Sequence, residues 1–352
     1  MIDTLTSLRF FAILGVFLSH LGFISNTPKY KGLFDNYFYE GYIGVTFFFI
    51  LSGFVLSYNY LNKFKTLSGS SKWKFTEKRI FKIYPLHFIT FLISVPLIFK
   101  EILREPLKNF ILALVNLMLL QSFIPITRIY FSYNAVSWNL SVFMFLYLLT
   151  PYLLYLVNKI TEKYKIKFSL FCIFILYILG IVISYIFKDN AFNHWIIYIS
   201  PFFRLIDFSI GLLLGGIYIY FKEINKSKLF FSCYEIIATL GLVILFMFHK
   251  QVAQVYRYDV YYVPIMCMII FVFAFQKGVI SKILKNNKFV YLGQISFSFY
   301  MIHRLVISYI FHLNKLNYKP VLMSVICFVT SILAASILYK YVENPIKNKV
   351  RQ

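Results

Sequence analysis

Eleven apolar stretches follow one another along this chain of 352 residues, at about 5–24, 41–60, 82–99, 109–124, 137–157, 168–187, 199–220, 230–248, 258–275, 291–312 and 320–341. A run of about 18 such residues is long enough to cross the hydrocarbon of a bilayer. In hydrocarbon every backbone N–H and C=O must be paired, which leaves helices and closed barrels, and runs of this length select helices. The fold class is therefore all-α and polytopic. Composition agrees: 14% of the residues are charged, against about 25% in a soluble domain.

The loops set the topology. Lysine and arginine crowd into 61–82, 158–167, 221–229, 276–288 and the tail with Lys347, Lys349 and Arg351, and such loops stay in the cytoplasm. Three apolar stretches lie between the first two of these loops, an odd number, so one of them does not cross. The weakest is 109–124, short, with charges on one side and Pro125 on the other. It is expected to be a re-entrant or interfacial helix on the outer side. That leaves about ten transmembrane helices plus this short one, both termini cytoplasmic, in a single membrane-embedded domain over 1–352 of a multi-pass protein of the cell membrane. The first stretch lacks a small-residue cleavage site and carries Arg9, so it is expected to stay as the first membrane helix. No soluble domain is expected after the last helix.

Net charge is +23. The excess sits in short loops, which points to the lipid bilayer and its anionic headgroups and not to nucleic acid. A local subset of the cations remains available for a phosphate-bearing substrate. Cys172, Cys233, Cys267 and Cys327 lie in or beside apolar segments with no metal-ligand spacing, and no metal site is expected. No phosphate loop, zinc motif, nucleophile elbow or internal repeat is present.

Polar residues inside the apolar stretches are the functional candidates, because each is costly there. The first stretch, TLTSLRFFAILGVFLSHLGFI, carries Arg9 and His20. Eleven residues at about 100° each come to roughly three turns, so both line one helix face about 16 Å apart. Singly, Arg9 reads as a snorkelling anchor and His20 as a packing donor; together they read as a site. In GYIGVTFFFILSGFVLSYNY, Gly41, Gly44 and Gly53 allow close helix approach, and Ser52 with Gly53 either bends the helix or exposes backbone.

EKRIFKIYPLHF places Lys78, Arg79 and Lys82 just before or in a first turn, with Arg79 and Lys82 on one face and Pro85 near the helix start. That is an anion site at a helix N-terminus or an ordinary positive flank. Trp138 reads first as an interface-belt residue, with Asn139 and Ser141 adding polar contacts. Arg204 and Asp207, three apart, pair on one face, foremost as a structural clip, and Gly211, Gly215 and Gly216 read as packing positions. Ser296, Tyr300 and His303 fall on one face, and His303 is a packing residue or part of a site. Glu343 sits near the cytoplasmic boundary and Pro345 stops the last helix. His87, His194, His249 and His312 receive no assignment.

In this order, these segments resemble the acyltransferase 3 family of integral membrane acyltransferases. The resemblance rests on Arg-x10-His at Arg9 and His20, FFFILSGFVLS at 47–57, RIFKIYP at 79–85, WNLSV at 138–142, Arg204-x-x-Asp207-Phe208-x-x-Gly211, ISFSFYMIH at 295–303 and VENP at 342–345. Two departures stand out. Lys82 replaces the second arginine of the usual Arg-x-x-Arg, which removes one bidentate phosphate fork. Phe143 stands where the family usually has a Glu, so a carboxylate role is lost there or moves, for instance to Asp207.

The resemblance implies transfer of an acyl group, most often acetyl, from cytoplasmic acyl-CoA to a hydroxyl of a cell-surface or lipid-linked carbohydrate. Acetyl-CoA would be a substrate, with no bound cofactor. His20 carries an imidazole, whose reference pKa is about 6.5, and suits the general base or a transient acyl carrier. Arg79, Lys82 and Lys78 would hold the donor phosphates, and Arg9 would bind CoA or steer the thioester. Ser52, Trp138, Asn139, Arg204, Asp207, Tyr300 and His303 would support the site or face the acceptor. Two rivals share the charged interior: a transporter or flippase of a lipid-linked sugar, and an inactive family member that acts as a binding partner.

Overall fold

A computed structural model of the chain describes residues 2–224, 226–313 and 319–351, without the side chains of 163–165, 313, 350 and 351. Lys163, Lys165 and Arg351, counted above among the loop and tail cations, are thus outside the described side chains. Among the described residues all regular structure is helical. The principal helices are α1 (Asp3–Ser19), α2 (Gly44–Tyr60), α3 (Gly69–Ser94), α4 (Pro106–Leu117), α5 (Trp138–Ile186), α6 (Pro201–Phe221), α7 (Lys228–Phe248), α8 (Val263–Ala274), α9 (Val279–Leu284), α10 (Asn287–Gln294), α11 (Ser296–Leu313) and α12 (Pro320–Leu338).

Seven stretches among the described residues are long and apolar enough to cross a membrane: Pro28–Phe64, Gly69–Arg104, Ala135–Glu162, Ile166–Ile186, Pro201–Phe221, Lys228–Gln251 and Pro320–Lys349. The other apolar stretches correspond to α1, α8, α11 and the 12-residue α4. At about 1.5 Å per residue, α4 is too short to span about 30 Å of hydrocarbon. It stops where Leu119 takes a positive φ of 55°, a conformation a continuing helix cannot hold.

Helix boundaries depart from the sequence reading in three places. Residues 158–167 do not form a loop: α5 runs unbroken through them for 49 residues. NKITEKYKIK is polar but holds no glycine or proline, so its charge does not break the helix. Second, α3 begins at Gly69, so Lys78, Arg79 and Lys82 lie in its interior, and Pro85 is also internal. The helix-end dipole therefore contributes nothing at these cations. Third, α1 ends at Ser19, and His20 occupies the following turn, its N–H bonded to Phe17 O at 3.1 Å.

The chain forms two compact units: Met1–Val16, Glu40–Lys72 and Leu148–Gln294 in the first, and Phe17–Tyr39, Trp73–Tyr147 and Ile295–Gln352 in the second. In lipid, apolar side chains gain little by leaving the solvent, so helices associate through close packing and interhelical hydrogen bonds. The first unit shows both. A Cβ on Gly53 would stand 2.1 Å from Phe208 O, and one on Gly211 would stand 2.0 Å from Ile50 O, so α2 and α6 touch backbone to backbone. Thr4 Oγ1 donates to Phe273 O and Ser7 Oγ to Leu284 O, both at 2.6 Å. Gly211→Val is therefore expected to destabilise the folded protein by about 1–3 kcal/mol or more, the cost of overpacking. Gly69→Ala, with open space around the new methyl, should be near neutral. Thermal unfolding of both variants in one detergent checks this.

In the second unit, a hydrogen-bonded hairpin joins α4 to α5. Asn116 Nδ2 donates to Ser132 O at 3.0 Å, and Gln121 Nε2 to Ser137 O at 3.1 Å. Ser122 Oγ donates to Trp138 O at 2.5 Å, and Ser141 Oγ to Leu119 O at 2.6 Å. These bonds satisfy backbone groups that the irregular segment leaves unpaired, as burial requires.

Candidate active site

The second unit brings His20 and His303 into contact: Nδ1 of His20 lies 2.8 Å from Nε2 of His303. The bonding pattern fixes the proton positions for neutral rings. His303 Nδ1 lies 2.7 Å from Tyr300 O and 3.2 Å from Phe299 O. A carbonyl only accepts, so Nδ1 of His303 carries its hydrogen and Nε2 is bare. His20 Nδ1 must then donate to that bare nitrogen. The proton of His20 is spent on His303, and Nε2 of His20 is left as an acceptor. Among the described residues it has no recorded hydrogen-bond partner. His303 is fully buried and His20 is partly exposed.

Aromatic rings and backbone bonds hold the pair. Phe299 lies parallel to the His303 ring at 5.8 Å, and Phe17 meets it edge-on at 6.2 Å. On α11, Tyr300 Oη donates to Val136 O at 3.1 Å and is also hydrogen-bonded to the Asn139 side chain. Asn134 Nδ2 donates to Met301 O at 2.8 Å. The WNLSV segment thus buttresses the turn of α11 that carries His303. One turn earlier, Ser298 Oγ donates to Glu343 Oε2 at 2.8 Å, where a wide π-turn, Tyr339–Glu343, follows α12.

The predicted residues divide into two groups. His20, Trp138, Asn139, Tyr300 and His303 belong to the second unit, and Tyr300 lies beside the His303 ring at 5.9 Å. Trp138 is only 4% exposed, so it is not an interface-belt residue, and its carbonyl accepts from Ser122 Oγ. Arg79, Lys82 and Lys78 are also in this unit. The Arg79 guanidinium stacks over Phe75 at 5.2 Å and Tyr147 at 5.9 Å. Phe143 in turn stacks on Tyr147 at 5.7 Å. Lys82 is partly buried and Lys78 exposed.

Arg9, Ser52, Arg204 and Asp207 belong to the first unit. Arg9 and Ser52 are partly buried on α1 and α2. Arg204 and Asp207 form the expected clip, Nη1 to Oδ2 at 2.6 Å, fully buried. The sequence did not reveal its third member: Asp259 Oδ1 lies 2.7 Å from the same Nη1. Nη1 also donates to Thr46 Oγ1 at 3.0 Å and Nε to the Tyr198 carbonyl at 2.8 Å, while Nη2 is buried with no hydrogen-bond partner among the described residues. Also missed was Glu40, 1% exposed, bonded to Arg257 at 2.5 Å and to the Tyr262 hydroxyl at 2.9 Å. Arg304 was missed as well. Its Nη1 lies 3.4 Å from His20 O. The rule that selected Arg9, a charge inside an apolar run, applies equally to Arg304.

An acyltransferase-domain family profile, Acyl_transf_3, matches residues 2–340. The chain belongs to the acyltransferase 3 family. MdmB, an acyltransferase of Streptomyces mycarofaciens, is 36% identical over 169 residues, 46% of this chain and 41% of its own length. O-acetyltransferase OatA of Staphylococcus aureus is 25% identical over 362 residues, 98% of this chain and 57% of its own. A putative O-acetyltransferase of the same species is 24% identical over 370 residues, 99% and 58% respectively. The chain therefore spans little more than half of the length of these O-acetyltransferases. No solved structure matches. Within this acyltransferase 3 member, segments far apart in the sequence meet around α11: WNLSV at Tyr300, and VENP at Ser298.

Proposed function

We propose that this chain transfers an acyl group, most often acetyl, from acyl-CoA to a hydroxyl of a cell-surface or lipid-linked carbohydrate, with His20 as the reacting imidazole. The observation that carries the reading is the bare Nε2 of His20, set by the bond from Nδ1 to His303. The family and the named O-acetyltransferase relatives support acyl transfer as the chemistry.

As general base, Nε2 takes the hydroxyl proton while the acceptor oxygen attacks the thioester carbonyl carbon. The C–S bond then breaks and the proton goes to the departing CoA sulfur. As acyl carrier, the same nitrogen attacks the thioester first and the C–S bond breaks to release the CoA thiolate; the acceptor hydroxyl then attacks the acyl carbon, the N–C bond breaks back to the bare nitrogen, and the hydroxyl proton goes to the thiolate. In both routes His303 keeps the ring oriented, and Arg304 places a positive charge beside His20, where negative charge grows on the carbonyl oxygen. For the donor phosphates we assign Arg79 and Lys82, with Lys78 at the exposed edge. Arg79 sits on the aromatic faces of Phe75 and Tyr147. Arg9 is assigned to the donor because the Arg-x10-His spacing matches the family. The distribution of lysine and arginine supports cytoplasmic termini and a site in the cell membrane.

His303→Gln is expected to lower kcat about 10-fold or more, part of the 10²–10⁴ that a positioned base contributes. The KM for acetyl-CoA should hardly move; a rise in KM with kcat intact would remove His303 from the positioning role. The overall reading is tested by releasing ester-linked acetyl from surface polysaccharide of cells with and without the gene. Loss of acetyl esters without the gene, restored by the wild-type copy and not by His20→Ala, is expected. Unchanged esters with altered export of the glycan would favour a transporter.

A further inference from the structure

A cavity of about 290 Å³ opens in the second unit between α4 and the segment that leads to α5. Its volume lies at the small end of ligand pockets, about 300–1,000 Å³, and suits one sugar or polyol unit. Arg104, Lys108 and Arg128 line it together with Glu101 and Glu105. Lys108 is spent on Glu105, Nζ to Oε2 at 2.5 Å. That bond, with the charges of Lys108, Arg128 and Arg104, holds the Glu105 carboxyl below the usual carboxylate range, so both arginines stand within electrostatic reach of it. Neither Arg104 nor Arg128 has a recorded ion pair or hydrogen bond among the described residues. Two planar guanidinium groups at one cavity are suited to bidentate capture of a phosphate.

The remaining wall suits a hydroxylated body. Phe131 and Tyr133 line it beside Glu101, whose carboxylate is an acceptor for hydroxyls. Tyr133 holds a positive φ of 57°, which is strained for a non-glycine residue and persists only where the surroundings over-determine it. Here they do: its ring stacks on Phe91 at 4.4 Å and its hydroxyl donates to Asn109 O at 2.8 Å. The same short segment then continues to Asn134, Val136 and Asn139, which hold the Tyr300 turn beside His303.

We propose that this cavity binds a phosphorylated sugar or polyol, with Arg104 and Arg128 on the phosphate and Tyr133, Phe131 and Glu101 on the hydroxylated part. Resting on the acyl-transfer reading, it would hold the anionic part of the acceptor. The chemistry is shared by a glycan phosphate and by the headgroup of phosphatidylglycerol, and the test separates them.

Purified full-length protein in detergent is titrated calorimetrically with glucose 1-phosphate and with neutral methyl glucoside. Native mass spectrometry then measures retention of phosphatidylglycerol against phosphatidylcholine from nanodiscs. The expected result is at least a tenfold preference for the phosphorylated sugar, abolished in the Arg104→Gln, Arg128→Gln double variant and kept in Lys100→Gln. Preference seen only as phosphatidylglycerol retention, again lost in the double variant, supports the same site with a lipid headgroup as its source. Equal binding of phosphorylated and neutral probes, or a preference that survives the double variant, overturns the proposal. Because the readout is binding, its failure leaves acyl transfer standing. Conversely, intact binding beside absent acyl transfer would sink only the enzymatic reading.

Discussion

His20→Ala is expected to lower acyl transfer by about 10²–10⁴-fold, the usual contribution of a positioned general base, in protein that still inserts and folds. The ring lies in a turn just past α1 and is partly exposed, so removing it opens little core. What is lost is the one nitrogen whose lone pair the surrounding bonds leave available. His20→Gln should not rescue, because an amide keeps a hydrogen bond to His303 but takes no proton at neutral pH. His312→Ala is the control: that ring is exposed in the last turn of α11, with Nδ1 bonded to Ser308 O at 3.1 Å. It should retain wild-type rates. The check is labelled acetyl transferred from acetyl-CoA per mole of purified protein. Wild-type turnover in His20→Ala would remove the imidazole from the mechanism.

Arg204→Met should destabilise the protein by about 3–5 kcal/mol, the cost of leaving buried charge uncompensated. Arg204 is fully buried, and one of its nitrogens contacts both Asp207 and Asp259. Taking the guanidinium away leaves two carboxyl groups facing each other with no cation. The penalty belongs to the mismatch more than to the pair itself. A buried ion cluster replaced as a whole is often close to neutral. The triple change Arg204→Met, Asp207→Asn, Asp259→Asn is therefore expected to recover at least half of the loss. Thermal unfolding of the single and triple variants in the same detergent measures it. A single variant as stable as wild type would show that the cluster does not clip α6 to its surroundings.

These two sites show what the sequence disclosed. Arg204 and Asp207 were readable as a pair because helix geometry brings i and i+3 together. Asp259 was not, since it is 55 residues away and only the fold joins it to Arg204. His20 and His303 each stood out as ionisable groups in apolar runs, yet they are 283 residues apart and nothing local announces their contact. The helical fold class followed from the apolar runs because hydrocarbon forbids unpaired backbone. Helix ends did not follow, because lysine in a loop and lysine on a helix give the same positive-inside signal. That is why α3 starts well before its apolar part and α5 runs through a polar stretch. Trp138 shows a related limit: an aromatic residue at a helix end suits the membrane interface and a protein interior equally, and here it is buried.

The central claim is a proton position: hydrogen on Nδ1 of His20 and none on Nε2. Nitrogen-15 solid-state NMR of histidine-labelled protein in lipid reads this directly. The chain has 6 histidines, so the His20 signals are assigned by difference from His20→Gln. The expected spectrum shows a neutral His20 ring protonated at Nδ1 and bare at Nε2, changing when His303 is replaced by Gln. A ring protonated at Nε2 with a bare Nδ1, in the wild-type protein, would contradict it.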